Sequence, residues 1–484
     1  MPNGIAYLML LIWPLVCLVL FRTHKLERAL IWSILGGYLF LPPLAEFNLP
    51  LVPAMDKTSI PSLSVLLILM FAMKDKVQLW PDARAAQVLV VGLVLSAVPT
   101  VLTNGDPIIF QVLRDADPIL FMVDQLPGQS MRDIGSVLIS QVLTLVPFLL
   151  ARQFLSTENG LRDLITAFMV GALIYSVPAL IEIRFSPQIN VWIYGFFQHS
   201  FEQMMRAGGY RPIVFLPHGL WVALFFVTGL IAAAALARTA APEHKMRGYA
   251  VVAYLTVILV LCKSLASLAY GVVLTPFVIF APYRWQIRLA VVFGIVAVGY
   301  PMLRNLQLIP LDAIIAQFEA INPARADSLA YRFNNEEQLL ARAAEKPLFG
   351  WGGWGRSLIR DGETGEIMTI PDGRWIIIFG TFGWLGYLCE FGLLALPLVM
   401  LGLFMWRHGD IALSPLVPPM CLILAITMMD MLLNATLTPL TWLTAGALLG
   451  HAERLLAKNG SAPRHALGQA VLNPARPRGK RTIL

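Results

Sequence analysis

Long apolar runs, each closed by a few polar residues, repeat from one end of the chain to the other. Thirteen stand out, at about 5–21, 29–45, 58–73, 86–102, 134–151, 163–181, 219–237, 249–262, 265–281, 288–303, 384–406, 414–433 and 437–451. A helix needs roughly 17–25 apolar residues to cross a bilayer. Only a helix or a closed barrel satisfies its own backbone there. The pattern therefore predicts an all-α, polytopic α-helical membrane protein of about 12–14 transmembrane helices. The first run has no basic residue before it and no convincing small-residue cleavage site, so it is read as a retained helix.

The pattern breaks on a large scale between about Arg304 and Gly373, after the tenth run and before the eleventh. There the chain reads Ser328-Leu-Ala-Tyr-Arg332-Phe-Asn-Asn-Glu336-Glu337, then Lys346-Pro-Leu-Phe-Gly350-Trp-Gly-Gly-Trp-Gly-Arg356. The bilayer explains the apolar runs. It does not explain a polar segment rich in arginine, carboxylate, glycine and tryptophan, which is where chemistry is expected.

Composition agrees with the pattern. Hydrophobic residues make up 57%, charged residues 13%, and mean hydropathy is +0.70; a typical soluble domain carries about twice that charge. Cys17, Cys262, Cys389 and Cys421 all fall in or at the ends of apolar runs, which gives neither a disulfide framework nor metal-ligand spacing.

The net charge of +7 does not point to nucleic acid, because the basic residues follow topology. Arg22, Lys25 and Arg28 share one loop, and Lys74, Lys76 and Arg84 the next but one. Arg152 and Arg162, then Arg238, Lys245 and Arg247, then Arg284 and Arg288 continue the alternation. The positive-inside rule places these loops in the cytoplasm. The N-terminus and the loops at about 46–57, 103–133, 182–218 and 304–383 then lie outside. One transmembrane domain over 1–451 is expected, followed by a basic cytoplasmic tail over 452–484 whose composition suits disorder. No internal repeat is visible.

The last outer loop breaks the charge bias, with Arg304, Arg325, Arg332, Arg342, Lys346, Arg356, Arg360 and Arg374. Arginine forks grip phosphate oxygens through paired hydrogen bonds, so a pyrophosphate or anionic sugar would explain them. Residues 327–345 predict an amphipathic helix stopped by Pro347. Its spacing puts Arg325, Arg332 and Glu336 on one face. An i,i+4 ion pair on a solvated face would give the same spacing. Trp351 and Trp354 suit either sugar stacking or anchoring at the bilayer surface.

Other outer segments carry candidates. Arg206-Ala-Gly-Gly-Tyr-Arg211-Pro sets glycines beside an arginine, where backbone can approach a ligand closely. Lys263-Ser264 sits between two runs too close for a long loop, so the lysine either snorkels or faces a cavity. Asp115-Ala-Asp117 would suit a divalent cation, but the pattern is very weak. Glu390 and Asp430 fall inside predicted spans, where acids are functional candidates or partners of a neighbouring helix.

These residues together resemble the O-antigen polymerase and O-antigen ligase superfamily. Tyr331-Arg332 followed by Pro347-Leu-Phe-Gly350-Trp-Gly is similar to its arginine helix and Pro-Leu-Phe-Gly-x-Gly turn. Gly209-Tyr-Arg211-Pro-Ile-Val-Phe-Leu-Pro-His218-Gly resembles its glycine–arginine element. Pro371-Asp372-Gly373 through Gly383-Trp-Leu-Gly386 resembles its Pro-His-Asn element, and Asp430-Met-Leu-Leu-Asn434 fits its late helix. The likeness covers roughly 130–450 and rests on the order and spacing of these elements together.

The resemblance implies a glycosyltransferase in a bacterial inner membrane, with a large periplasmic loop between the tenth and eleventh spans and a periplasmic N-terminus. Its donor would be an undecaprenyl-pyrophosphate-linked oligosaccharide, drawn from the membrane lipid phase. A polymerase moves the glycan onto a new lipid-linked repeat unit; a ligase moves it onto lipid A core. A transporter of lipid-linked oligosaccharide is the alternative from another class. The resemblance makes Arg211 and Arg332 the cations that meet the leaving pyrophosphate, with Glu336 and Asp372 as acceptor-side carboxylates. Lys263, Arg325, Trp351, Trp354, Arg356 and His218 would bind substrate. No metal or cofactor is required, and a chain-length regulator is the partner such proteins usually have. Ligases of the superfamily usually carry histidine where this chain has Asp372, which favours the polymerase.

Overall fold

The computed structural model describes residues 1–48, 53–73, 77–114, 120–206, 208–321, 323–362, 364–409 and 413–460. Asp115, Asp117 and the side chain of Arg325 fall outside that description, as do residues 461–484.

The described chain is built from α1 (Gly4–Thr23), α2 (Leu26–Phe40), α3 (Ser59–Leu67), α4 (Arg84–Leu95), α5 (Ala97–Leu102), α6 (Met131–Phe154), α7 (Glu158–Phe185), α8 (Ile189–Tyr194) and α9 (Gly219–Thr239). It continues through α10 (Pro242–Leu261), α11 (Leu265–Phe280), α12 (Tyr283–Asn305), α13 (Leu311–Ile321), α14 (Pro323–Ala344), α15 (Arg374–His408), α16 (Val417–Asp430) and α17 (Pro439–Gly460). A π turn over Ile68–Ala72 prolongs α3. Two antiparallel hairpins break the all-helical pattern: β1 (Ile108–Arg114) with β2 (Leu120–Leu126), and β3 (Met205–Arg206) with β4 (Gly209–Tyr210).

The protein is an all-α polytopic membrane protein. Among the described residues eight helical segments are long and apolar enough to cross a membrane by length and composition: α1, α4 with α5, α6, α7, α9, α10, α12 and α15. Every one of the thirteen apolar runs coincides with a helix. Some helices are shorter than their runs for local reasons. α2 stops at Phe40 because Pro42 and Pro43 cannot continue it. The last helix runs to Gly460, beyond the expected end of the membrane domain at 451.

α9 is the centre of the bundle, with 78% of its apolar window buried; α10 and α1 lie outside, with 22% and 28%. On α1, Leu8, Leu11, Leu15 and Val19 are exposed at helical spacing and make a hydrocarbon-facing stripe. α17 crosses α6 closely: a Cβ at Gly446 would stand 2.1 Å from the Phe148 carbonyl oxygen, and one at Gly450 2.0 Å from that of Arg152. This small-xxx-small pair lets two backbones meet where no side chain fits. At the far end of the same crossing, Arg152 Nε donates to Glu453 at 2.7 Å, and Arg152 also pairs with Asp82 at 3.0 Å. Glu453 in turn accepts from the backbone of Asp82 and Ala83 just before α4.

The helices α13 and α14 lie in the segment between α12 and α15. A backbone exchange ties that segment to the bundle. α15 breaks at Gly383, whose φ is +62°. The carbonyls of Gly380 and Thr381 accept from the Trp351 and Gly352 N–H groups at 2.8 and 2.9 Å. The N–H groups of Trp384 and Leu385 donate to Pro347 and Leu348 at 2.8 and 3.2 Å. The kink frees groups that a straight helix would pair internally, and the Pro347–Gly352 turn takes them up.

Candidate active site

Arg332 projects from α14 toward the end of α16. Its Nη1 donates to the Asn434 Oδ1 at 3.2 Å and to the Leu433 carbonyl at 3.4 Å. Its Nε stands 3.6 Å from Asp372 Oδ2. Asn434 is itself aimed: its Nδ2 donates to Asp430 Oδ1 at 3.1 Å, and Thr436 donates to Asp430 Oδ2 at 2.7 Å. The sequence Asp430 to Thr436 thus forms a buried bracket that orients the arginine. Arg332, Glu336, Asp372, Gly373 and Leu432 line one small recess. Gly373 is needed there, since a Cβ would sit 2.4 Å from the Leu432 carbonyl oxygen.

Asp372 keeps about a third of its side chain exposed. Burial raises its carboxyl pKa above the ordinary value, and the Arg332 charge opposes that rise. Of the two carboxylates that line this recess, Glu336 is buried, and Asp372, paired with Arg332, is the one open to a ligand. Its neighbour Arg374 is not: Nε donates to Glu390 at 2.7 Å, Nη2 to the other carboxylate oxygen, and Glu390 is buried. That pair explains the intramembrane acid at 390.

The second arginine element folds over the start of α9. Glu182, fully buried at the end of α7, accepts from the Ile213 and Val214 N–H groups, both at 2.8 Å, and from Ile189 at 3.1 Å. This carboxylate fixes the loop after Arg211. Arg211 is buried and donates to the carbonyls of Lys263 at 3.3 Å and Cys262 at 3.5 Å. Its stem lies against Gly219, where a Cβ would meet Cδ at 2.3 Å. Lys263 reaches across to the Arg206 carbonyl at 2.8 Å, so it ties the β3–β4 hairpin to the α10–α11 turn.

His218 caps α9, accepting from the Leu220 N–H at Nδ1, 3.0 Å away. Its ring lies 4.6 Å from that of His199. Burial first, then the charges of His199, Arg211, Arg332 and Arg206, push its pKa down to about 3. The imidazole is therefore neutral at physiological pH.

Other sequence candidates have partners of their own. Glu336 reads from the sequence as an acceptor-side carboxylate, but its oxygens are occupied. Oε1 accepts from Arg304 at 2.8 Å and Tyr300 at 3.0 Å, and Oε2 from Trp375 at 3.3 Å. It anchors α14 onto α12 and α15. Trp351 is not an open platform: Arg342 lies 3.4 Å and Lys346 4.5 Å from its ring centroid, and its Nε1 donates to the Arg342 carbonyl. Arg356 is buried and donates to the carbonyls of Pro127 and Asp106, both at 2.8 Å. Trp354 is 60% exposed at φ +57° and is the one of the two tryptophans that presents a free face.

Arg304, Tyr300 and Glu182 are the supporting residues that sequence reasoning did not assign. A lone acid at the end of an apolar run was the available signal for Glu182. Among the described residues no group of three or more His, Cys, Asp or Glu gathers as a metal site would. A scan against protein-family models and a search of curated proteins both return no match.

Proposed function

We propose that the protein is a membrane glycosyltransferase that polymerises a lipid-linked oligosaccharide, moving a glycan from a polyprenyl pyrophosphate onto the hydroxyl of a second lipid-linked repeat unit. The observation that carries this reading is the Arg332–Asp372 recess. It sets a cation and a partly exposed carboxylate side by side.

The chemistry divides between the two groups. The bond from the anomeric carbon to the phosphate oxygen breaks, and pyrophosphate leaves with growing negative charge. Arg332, held by Asn434 and the Leu433 carbonyl, meets that charge without reorganising. The acceptor hydroxyl forms the new bond and gives its proton to Asp372. A carboxylate whose pKa is raised toward neutrality is a better base for that step.

The test is purified protein in lipid vesicles with a lipid-linked repeat unit, read as a ladder of polymer on a gel. Wild type forms the ladder. Arg332→Ala and Asp372→Asn lose it while their thermal unfolding stays unchanged. A full ladder from Arg332→Ala would overturn the assignment.

A further inference from the structure

A second basic cleft lies on the other side of α14, away from the Arg332 recess. It measures about 580 Å³. Its walls come from α14, from Ile108–Phe110 at the start of β1, and from the loop after the Gly/Trp turn. Arg342, Arg356 and Arg360 line it, against one acid in its lining, Glu345, which is paired with Arg342 at 2.8 Å.

Two of these guanidinium groups are unusual. Arg356 is 2% exposed, and both its terminal nitrogens are used on the neutral carbonyls of Pro127 and Asp106. Arg360 donates to the Gly365 carbonyl at 2.9 Å and lies 5.6 Å from the Phe110 ring centroid. In each, the Nε–H is buried and has no acceptor among the described residues. A buried donor without a partner costs free energy unless a ligand supplies the acceptor. The charges also repel: burial and the nearby Arg342 lower the Arg356 pKa, and burial, Arg356 and Arg342 lower that of Lys346, with Asp106 opposing both and Glu345 the second. An anion would relieve both the repulsion and the missing acceptors.

We propose that this cleft binds an acidic sugar of a glycan chain, with its carboxylate on the Arg356 and Arg360 guanidinium groups and its ring against Phe110. Arginine forks suit a planar carboxylate. The apolar wall of Phe110, Ile108 and Leu358 suits the C–H face of a pyranose. The cleft would then hold chain already made, or a repeat unit arriving, on the far side of α14 from the transfer recess. The identity of the ligand as a glycan rests on the proposed function; the binding site itself does not.

Binding is measured on the full chain in detergent by calorimetry, with tetragalacturonate as the acidic probe, a neutral maltotetraose and glycerol phosphate. Tetragalacturonate binds at low salt, and maltotetraose binds at least about tenfold more weakly, the scale of one lost charge-assisted bond. Arg360→Gln weakens the acidic probe by about tenfold with unchanged thermal unfolding. Arg356→Gln is the second variant, read only if it folds. Arg332→Ala leaves this binding intact, so a failed transfer assay and a failed cleft are told apart. Equal binding of the neutral probe, no effect of Arg360→Gln, or binding of glycerol phosphate alone would overturn the proposal.

Discussion

The Nε of Arg332 stands 3.6 Å from Asp372 Oδ2, although the two residues belong to different elements and are joined by the Gly/Trp loop. The same guanidinium turns Nη1 the other way, to Asn434 and the Leu433 carbonyl. One planar group therefore bridges the middle of α14, the residue before the N-cap of α15 and the segment after α16.

That bridge needs the fork, not only the charge. Lysine carries a single ammonium and cannot hold Asp372 and Asn434 along two fixed directions. Arg332→Lys is expected to lower polymer yield on the order of 100-fold, the usual scale for losing one preorganised charge donor. The vesicle ladder assay measures it, and thermal unfolding checks that the fold persists. Near-normal polymer from the lysine variant would mean that charge alone suffices.

The Pro347–Gly352 turn is predicted to be a structural clasp. Gly383 has φ +62°, and a Cβ there would stand 2.4 Å from the Leu348 carbonyl carbon. A left-handed residue with a side chain costs roughly 1–3 kcal/mol, before the clash is counted. Gly383→Ala should lower the unfolding temperature in detergent. Gly353→Ala, where no atom lies within 4 Å of the new Cβ, should leave it unchanged. Equal behaviour of the two variants would refute the clasp.

The membrane fold was legible because the bilayer imposes it residue by residue. Apolar runs mark helices whatever their partners, and the amphipathic stretch at 327–345 marks α14, which spans Pro323–Ala344. What the sequence hid were contacts between distant segments. Glu336 shares a helical face with Arg332, so spacing alone makes it a site residue. It does line the Arg332 recess, but spacing does not show that Arg304, thirty-two positions earlier, and Trp375 bond its oxygens. The Gly/Trp turn looks like a ligand loop for the same reason. Its backbone bonds to the α15 kink, and the cations over Trp351, appear only once the chain is folded. Asp372 was legible as a carboxylate next to a motif, but its partner was not.

His218 should leave a mark on stability against pH. Its pKa falls from 6.5 to about 3 on folding, so between those values the unfolded chain binds more protons than the folded one. This group therefore contributes a loss of stability as pH falls through 6.5 toward 3, and nothing above 7. Asp372 and Glu336 act with the opposite sign, because burial raises their pKa values on folding. The informative quantity is thus the difference between wild type and His218→Gln. The variant should lose less stability than wild type between pH 7 and pH 4, in thermal unfolding at matched salt. Parallel curves for the two proteins would show that His218 titrates normally.

The last prediction separates polymerase from ligase, and it turns on Asp372. An ionised carboxylate only accepts hydrogen bonds, and Asp372 is placed to take a proton from a sugar hydroxyl beside Arg332. A helix-capping role would use the same side chain differently. It is Gly373 that precedes α15, and no side-chain bond from Asp372 caps that helix. The residue is thus left for the recess. Cells lacking this protein are expected to carry at most single repeat units on the lipid carrier, because the step that joins units is missing. Cells lacking a ligase would instead accumulate long polymer on that carrier. Gel analysis of lipid-linked glycans reads the two outcomes directly, and Asp372→Asn supplied to the deletion strain should fail to restore polymer where wild type restores it. Long lipid-linked polymer in the deletion strain would reject the polymerase and assign the ligation step to this chain.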